Sequence, residues 1–554
     1  MTRSKKDTLI TSVYFALAAI ILAGLFARCR YGFPSDEAFY LLVPYRFMQG
    51  DIPILQEWHP TQISDIWIHP LVAAFLKISG STEGIILAFR YIFTVVWGAF
   101  AVFIFMRLRK ITAAGAAIAS LSLLIYVPYG EMALYYNTIG IMTLTSACVI
   151  LLTAEKAKKL QYIIAGFLLA MAITCCPFLI ILYLTALVYC IIKKTLKSTF
   201  LYLTAGAGIA FLIFCIYFLS RSSLSAVLSS LHFLIDDREH NISMLTKLVN
   251  FAGNLLFPTI TAFICFFAFA ICCVIIKFNG KTTIGFAITI ILAIIIQISL
   301  IIENGFINSF MLAPSLIGIY TFIFSKNEKI RNIFKMVFVP GLIYSFCINM
   351  SSNLGFSAIA SAASVMSFAS LLCGFIFSEE AGITSRIPVI AFAVLSVFQI
   401  GLQLDRRMNT VFDKAKIGSM TETLEYGCVK GIITTPGRIN YYSWMSYDTL
   451  PLKADDIDSV LILSPETWMY LDVGKKISAH SCWLSGDIVD EYTIELLDEY
   501  YDLYPEKKPD VIYVESYYKN LVPLLEERGY TGNITELENY ILYPDQANHS
   551  ANLS

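Results

Sequence analysis

Long apolar runs separated by short charged segments set the pattern of this chain. The runs lie at about 8–28, 84–106, 111–128, 138–153, 160–192, 199–219, 253–277, 282–302, 308–325, 333–350, 354–377 and 386–404. Most have the length a helix needs to cross a bilayer core, about 20 residues. The run at 160–192 has Lys156, Lys158 and Lys159 before it and Lys193, Lys194 and Lys197 after it. Basic residues stay on the cytoplasmic side, so this run must cross twice, turning at Thr174-Cys175-Cys176-Pro177. The pattern therefore predicts about thirteen transmembrane helices over residues 1–404. Arg3, Lys5 and Lys6 put the N-terminus in the cytoplasm, and the basic segments at 107–110, 277–281, 326–335 and Arg386 agree with that orientation. Loops 29–83 and 220–252 and the tail 405–554 then fall outside the cell membrane. The first run has no small-residue cleavage site and reads as a retained span.

The tail has a different pattern. Short apolar strands at 460–463 and 510–514 and a helix at 521–528 ending at Gly529 predict a small extracytoplasmic α/β domain with a largely parallel sheet. It holds no Gly-rich phosphate loop. Ser464-Pro465-Glu466-Thr467-Trp468 and Ser481-Cys482-Trp483 read as core and turn residues. Within loop 29–83, helices at 37–48 and 70–78 have apolar sides suited to the membrane surface. Trp58 and Trp67 suit the interface.

Composition agrees with the pattern. Of 554 residues 57% are hydrophobic and 15% charged, which excludes an ordinary soluble domain. The net charge of −1 leaves no basis for bulk attraction to nucleic acid. Most of the thirteen cysteines lie in apolar runs, where Cys acts as a small hydrophobe. A Cys428–Cys482 bridge is left open.

Ionisable groups gather early: Asp36, Glu37, Glu57, His59, Asp65, His69 and Arg90 fall within about one loop and the start of the next span. One reading is structural. Ser35 would cap the helix at 37–48, with acids in its first turn, and Pro70 would open the helix at 70–78. The other is that a membrane protein collecting its charge in one loop does its chemistry there. Glu57, His59, Asp65 and His69 are metal-ligand types without metal spacing, so a divalent metal is left open.

Asp36-Glu37 soon after the first span, Trp67-Ile68-His69-Pro70-Leu71 before the second, and Arg90 opening the second resemble membrane glycosyltransferases of the C-type fold. The similarity is to the protein O-mannosyltransferase-like and aminoarabinose-transferase-like branches, and it covers roughly 1–404. Trp58-His59-Pro60 competes with His69-Pro70 for the same motif. The resemblance implies an enzyme that moves a sugar from a polyprenyl phosphate carrier to an acceptor on the outer face, inverting the anomeric centre. The acceptor, whether polysaccharide, lipid or protein, is not specified. In that reading Asp36 is the general base and Glu37 positions or tunes it. Arg90 would meet the leaving phosphate, with Arg221 and Arg238 of loop 220–252 as further candidates. His59 and His69 would touch substrate, and loop 220–252 would cover the carrier. The competing classes are a transporter or flippase, for which the break at Pro177 speaks, and a non-enzymatic assembly protein with a sensory outer domain.

Overall fold

The computed structural model describes residues 3–155, 158–235, 242–279, 282–304, 309–380, 386–409, 415–484 and 489–545. Arg238 lies outside them. Every predicted apolar segment carries a helix. Among the described residues seven helices are long and apolar enough to cross a membrane, or eight if the bent pair Phe356–Ala362 and Ser364–Glu380 is one span. The others, such as Ala113–Ile125 and Ser315–Phe324, are shorter. Helix Tyr136–Leu152 shows why a short element suffices: it is buried without interruption from Asn137 to Ile150, so other helices and not lipid surround it. Outer helices present apolar side chains instead; Phe211 is 67% and Val397 66% exposed. The chain is a multi-pass membrane protein.

The run at 160–192 folds as two helices, Lys159–Cys175 and Ile180–Ile192, with Pro177 in the turn between them. Helices Lys159–Cys175 and Leu201–Leu219 cross at Gly166 and Gly206. A Cβ on either glycine would stand about 2 Å from the carbonyl oxygen of Leu203 or Ile163, so only glycine permits this approach.

The tail forms a two-stranded ribbon, β1 (Glu422–Thr423) with β2 (Ile433–Thr434), and a five-stranded sheet. The sheet contains β3 (Ser459–Leu463), β4 (Lys476–Ile477), β5 (Val511–Val514), β6 (Tyr530–Ile534) and β7 (Tyr540–Pro544), ordered β4-β3-β5-β7-β6. Only β3 pairs in parallel, with β4 and β5; β5–β7 and β6–β7 are antiparallel. The expected largely parallel sheet is thus a mixed one, because β6 and β7 form a hairpin that closes its edge. Helix 521–528 is shorter than expected, a 3-10 turn Ser516–Leu521 followed by Val522–Glu526. Cys428 and Cys482 are both buried free thiols with different neighbours: Cys428 donates toward the Trp468 carbonyl, and Cys482 lies against Arg46.

The tail domain and loop 29–83 sit on the same side and are bolted together. Gly84 and Ile86 N–H groups donate to Gly427 and Cys428 carbonyls; the Gly32 N–H donates to the Ile433 carbonyl of the ribbon, and the Ile433 N–H to the Arg30 carbonyl. Deeper in, Arg46 is fully buried and pairs with Asp51 and with Glu57 (2.8 Å). It also donates to Tyr500 Oη (2.8 Å) and to the Ala479 carbonyl. Lys507 closes on Asp51, and the Cys482 N–H donates to Glu57 at 3.0 Å. Burial acts against the Arg46 charge, but Tyr500, Asp51 and Glu57 outweigh it and hold the guanidinium above its usual range.

This packing corrects several expectations. Helix Glu37–Met48 does not lie on a surface; nearly every residue from Glu37 to Phe47 is buried. Trp58 is no interface anchor; it is 5% exposed and stacks on Phe233 at 3.8 Å. Loop 220–252 is not a bare connector, since it carries helices Leu224–Ile235 and Met244–Leu256. Leu234 packs in one cluster with Ile54 and Leu55 of the first loop.

Candidate active site

Asp36 stands where the membrane helices meet the tail domain. It is the N-cap residue of helix Glu37–Met48, yet its side chain makes no cap hydrogen bond. Ser35, the expected cap, instead donates its hydroxyl to Glu131 at 2.7 Å. The acids at this helix start are therefore not accounted for by capping.

Two cavities adjoin Asp36. The larger, about 390 Å³, is walled by Phe39 and Tyr40 of the same helix, by His59, by Tyr136 and Asn137, by the Thr174–Pro177 turn and by residues 351–354. Its aromatic side is rigid: Tyr40 stacks on Tyr135 at 4.5 Å, and Phe39 meets Trp483 at 5.0 Å and His59 at 5.1 Å. The Trp67 indole N–H ties the turn in place by donating to Thr174 at 2.7 Å. The smaller cavity, about 230 Å³, lies toward the tail domain and is lined by Phe33, Ser35, Arg438, Glu466, Thr467 and Trp468. Asp36 and Trp483 belong to both. The tail residues expected to be only core and turn thus line a cavity beside the candidate base. Glu466 is held above the usual carboxylate range, first by burial, against the Trp468 indole N–H that it accepts at 2.7 Å.

Glu37 and Arg90 are committed to each other. Arg90 Nε reaches both Glu37 oxygens, at 3.1 and 2.9 Å, and Nη2 bonds the same carboxylate. Its remaining donors go to the carbonyls of Cys29 (3.1 Å), Tyr31 (3.3 Å) and Gly32 (3.0 Å). A guanidinium has five N–H donors, and all are used. Arg90 is thus occupied in fixing the end of the first span to the helix that carries Asp36, and it is not in position for a leaving phosphate. Arg90→Lys keeps the charge but loses this planar fork, with an expected destabilisation of about 1–3 kcal/mol. A lowered thermal midpoint in detergent, with carrier affinity of the folded fraction unchanged, is the expected measurement.

Of the two competing histidines, His59 reaches the cavity. His69 opens helix His69–Ser79 against Tyr217, 5.4 Å between rings, and lines neither cavity. Burial and the nearby Arg221 push its pKa down to about 4. Arg221 is exposed and lies over the Tyr217 ring at 4.8 Å. Glu57 serves the Arg46 network and accepts the His59 N–H at 3.0 Å. Asp65 is fully buried beside Ser64, and burial raises its carboxyl well above the usual range. Glu57, His59, Asp65 and His69 therefore serve four different surroundings. Among the described residues no group of three or more His, Cys, Asp or Glu is gathered as for a metal ion. These four side chains are not brought together as one ligand set.

Sequence reasoning missed Glu131. It is the one charged residue between Lys110 and Glu155, which was the available signal. It follows the turn Pro128–Gly130, where Tyr129 and Gly130 both take positive φ. Glu131 is 4% exposed, and burial raises its carboxyl well above the usual range, with Asp36 and Glu37 pushing the same way.

Residues 66–219 match the family model described as dolichyl-phosphate-mannose-protein mannosyltransferase. The matched segment runs from the end of the first loop past Glu131 and the Pro177 turn, and begins after Asp36. The resemblance to this glycosyltransferase family is borne out over that segment. No curated protein matches the chain. Among solved structures it is similar to the archaeal oligosaccharyltransferase AglB from Archaeoglobus fulgidus in complex with an inhibitory peptide and a dolichol-phosphate. That match has 10% identity and a TM-score of 0.46, covering 97% of this chain and 75% of the other. A second structure of the Archaeoglobus fulgidus oligosaccharyltransferase, in complex with Zn and sulfate, gives 12% identity and a TM-score of 0.47 over 97% and 73%.

Proposed function

We propose, from the mannosyltransferase-family domain and the two cavities that share Asp36, that this protein transfers a sugar from a polyprenyl phosphate carrier to an acceptor hydroxyl. The acceptor enters from the side of the tail domain. The observation that carries the reading is the position of one carboxylate between an aromatic cavity among membrane helices and a polar cavity under an appended domain.

The donor sugar occupies the larger cavity, with its prenyl chain among the apolar spans. The acceptor hydroxyl approaches from the smaller one. Asp36 takes the hydroxyl proton as the oxygen bonds to the anomeric carbon. The bond from that carbon to the phosphate oxygen breaks, and the polyprenyl phosphate leaves with the electron pair. Attack from the side opposite the carrier inverts the centre. Since Arg90 is spent, the leaving phosphate is met by polar side chains of the cavity wall: His59, Asn137 and the Ser351-Ser352-Asn353 segment. The start of helix Tyr136–Leu152 lies at the same wall and adds the favourable end of its dipole. Glu37 holds its helix through Arg90 and so positions Asp36. No step passes through a metal. The reaction belongs to the outer face, where basic residues are scarce in the loops. The Pro177 break, which would suit a carrier protein, lines this cavity instead.

The test is to give purified protein a panel of polyprenyl phosphate sugars with candidate polysaccharide, lipid and peptide acceptors. One donor is expected to be consumed with stoichiometric release of polyprenyl phosphate. Folded protein that consumes none of the panel would overturn the reading.

A further inference from the structure

Two helices that reach the catalytic cavity, Tyr136–Leu152 and Lys159–Cys175, meet Ile85–Leu108 at their opposite ends. Ile85–Leu108, Tyr136–Leu152 and Lys159–Cys175 enclose a groove of about 540 Å³ there. It is a separate site: Arg107 in the groove and Arg90 at Glu37 are divided by roughly 25 Å of helix. The walls are apolar, with Phe100, Phe103, Met142, Ile150, Ile164 and Leu168. The polar groups are Arg107, Thr143, Ser146 and Gln161. Thr143 turns its hydroxyl back to the Ile139 carbonyl at 2.7 Å. Arg107 is different. Its Nε and Nη2 are buried and have no hydrogen-bond partner among the described residues.

A buried guanidinium without acceptors is costly unless something supplies them. Among the described residues no carboxylate closes an ion pair on Arg107. Glu155 is the nearby acid, and it is exposed and paired with Lys158 at 3.0 Å. Arg109, Lys110 and Lys159 add further positive charge to this end of the helices. The groove thus has a long apolar wall, a cation with open donors and a basic rim.

We infer that this groove binds one anionic glycerophospholipid, its acyl chain along the wall and its phosphate on Arg107. Phosphate matches the guanidinium fork in charge and geometry, and basic pockets between spans on the cytoplasmic side favour such headgroups. Free phosphate would leave the apolar wall uncovered, whereas the groove faces the lipid that surrounds the protein.

The experiment uses the full chain reconstituted with phosphatidylglycerol and phosphatidylcholine in equal amounts, with bound lipid read by native mass spectrometry. The unaltered protein should retain phosphatidylglycerol in preference. Arg107→Gln should lower that retention about fivefold, the equivalent of one basic contact near the membrane surface. Ser146→Phe, which fills the groove and keeps Arg107, should lower retention of both lipids and decides the matter if Arg107→Gln does not fold. Lys110→Gln, at the exposed rim, should lower retention less than Arg107→Gln does. The inference is overturned if Arg107→Gln and Ser146→Phe retain phosphatidylglycerol normally, or if Lys110→Gln loses as much as Arg107→Gln. It is also overturned if inorganic phosphate displaces the lipid, or if polyprenyl phosphate is recovered in its place.

Discussion

Asp36→Asn is expected to lower the transfer rate by about 10²–10⁴-fold, the range that a positioned general base contributes. The change is nearly isosteric. It leaves the helix start intact, because the Asp36 side chain does not cap the helix and Ser35 is held by Glu131. Donor binding should therefore persist while the chemical step fails. Single-turnover transfer from the donor identified in the panel, with binding measured separately, tests this. A normal rate in folded Asp36→Asn protein would remove Asp36 as the base. Glu131→Gln supplies a useful contrast. Burial already holds this carboxyl well above the usual range, so it keeps its proton to higher pH than an ordinary glutamate. The amide resembles the protonated form that burial favours, and the rate should fall far less than in Asp36→Asn.

The second large effect is structural. Arg46→Leu should destabilise the protein by about 3–5 kcal/mol, the cost of breaking a buried ion pair from one side. Glu57, at 0% exposure, would lose its one ion-pair partner among the described residues, while Asp51 would keep Lys507. The tail domain would lose the contacts from Arg46 to the Ala479 carbonyl and Tyr500. The expected result is a lowered thermal midpoint and faster proteolytic release of the tail. Adding Glu57→Gln to Arg46→Leu should recover part of the loss, since the stranded charge is gone. A double variant no more stable than Arg46→Leu would show that the charge is not the cause. Transfer activity should fall along with stability, because Arg46 and Asp36 stand at opposite ends of one helix.

The order of the apolar runs and the placement of basic residues were enough to identify a membrane protein and to place a helix in each long apolar run. Repetition of a long apolar period is a local property, and lipid as solvent leaves the backbone little choice beyond helix. Helix Glu37–Met48 and the Pro177 turn were legible for the same reason, since helical pattern and proline act on near neighbours. Residue types also singled out Asp36 and Glu37.

What those residues touch was decided elsewhere. Arg90 looked available for phosphate until the fold supplied Glu37 and three carbonyls to exhaust its donors. His59 and His69 carry similar neighbours in sequence, and only the packing of Tyr217 against one and Phe39 against the other separates them. Glu57 pairs with Arg46 of its own loop, but it also accepts the Cys482 N–H of a tail more than four hundred residues away. Trp483, Glu466 and Arg438 entered the site because the tail domain docks on the first loop. Hydrogen-bond and charge partners are set by distance in space, while sequence reports only distance along the chain. Segment identities therefore follow from the amino-acid order, and the site exists only once the distant segments have packed.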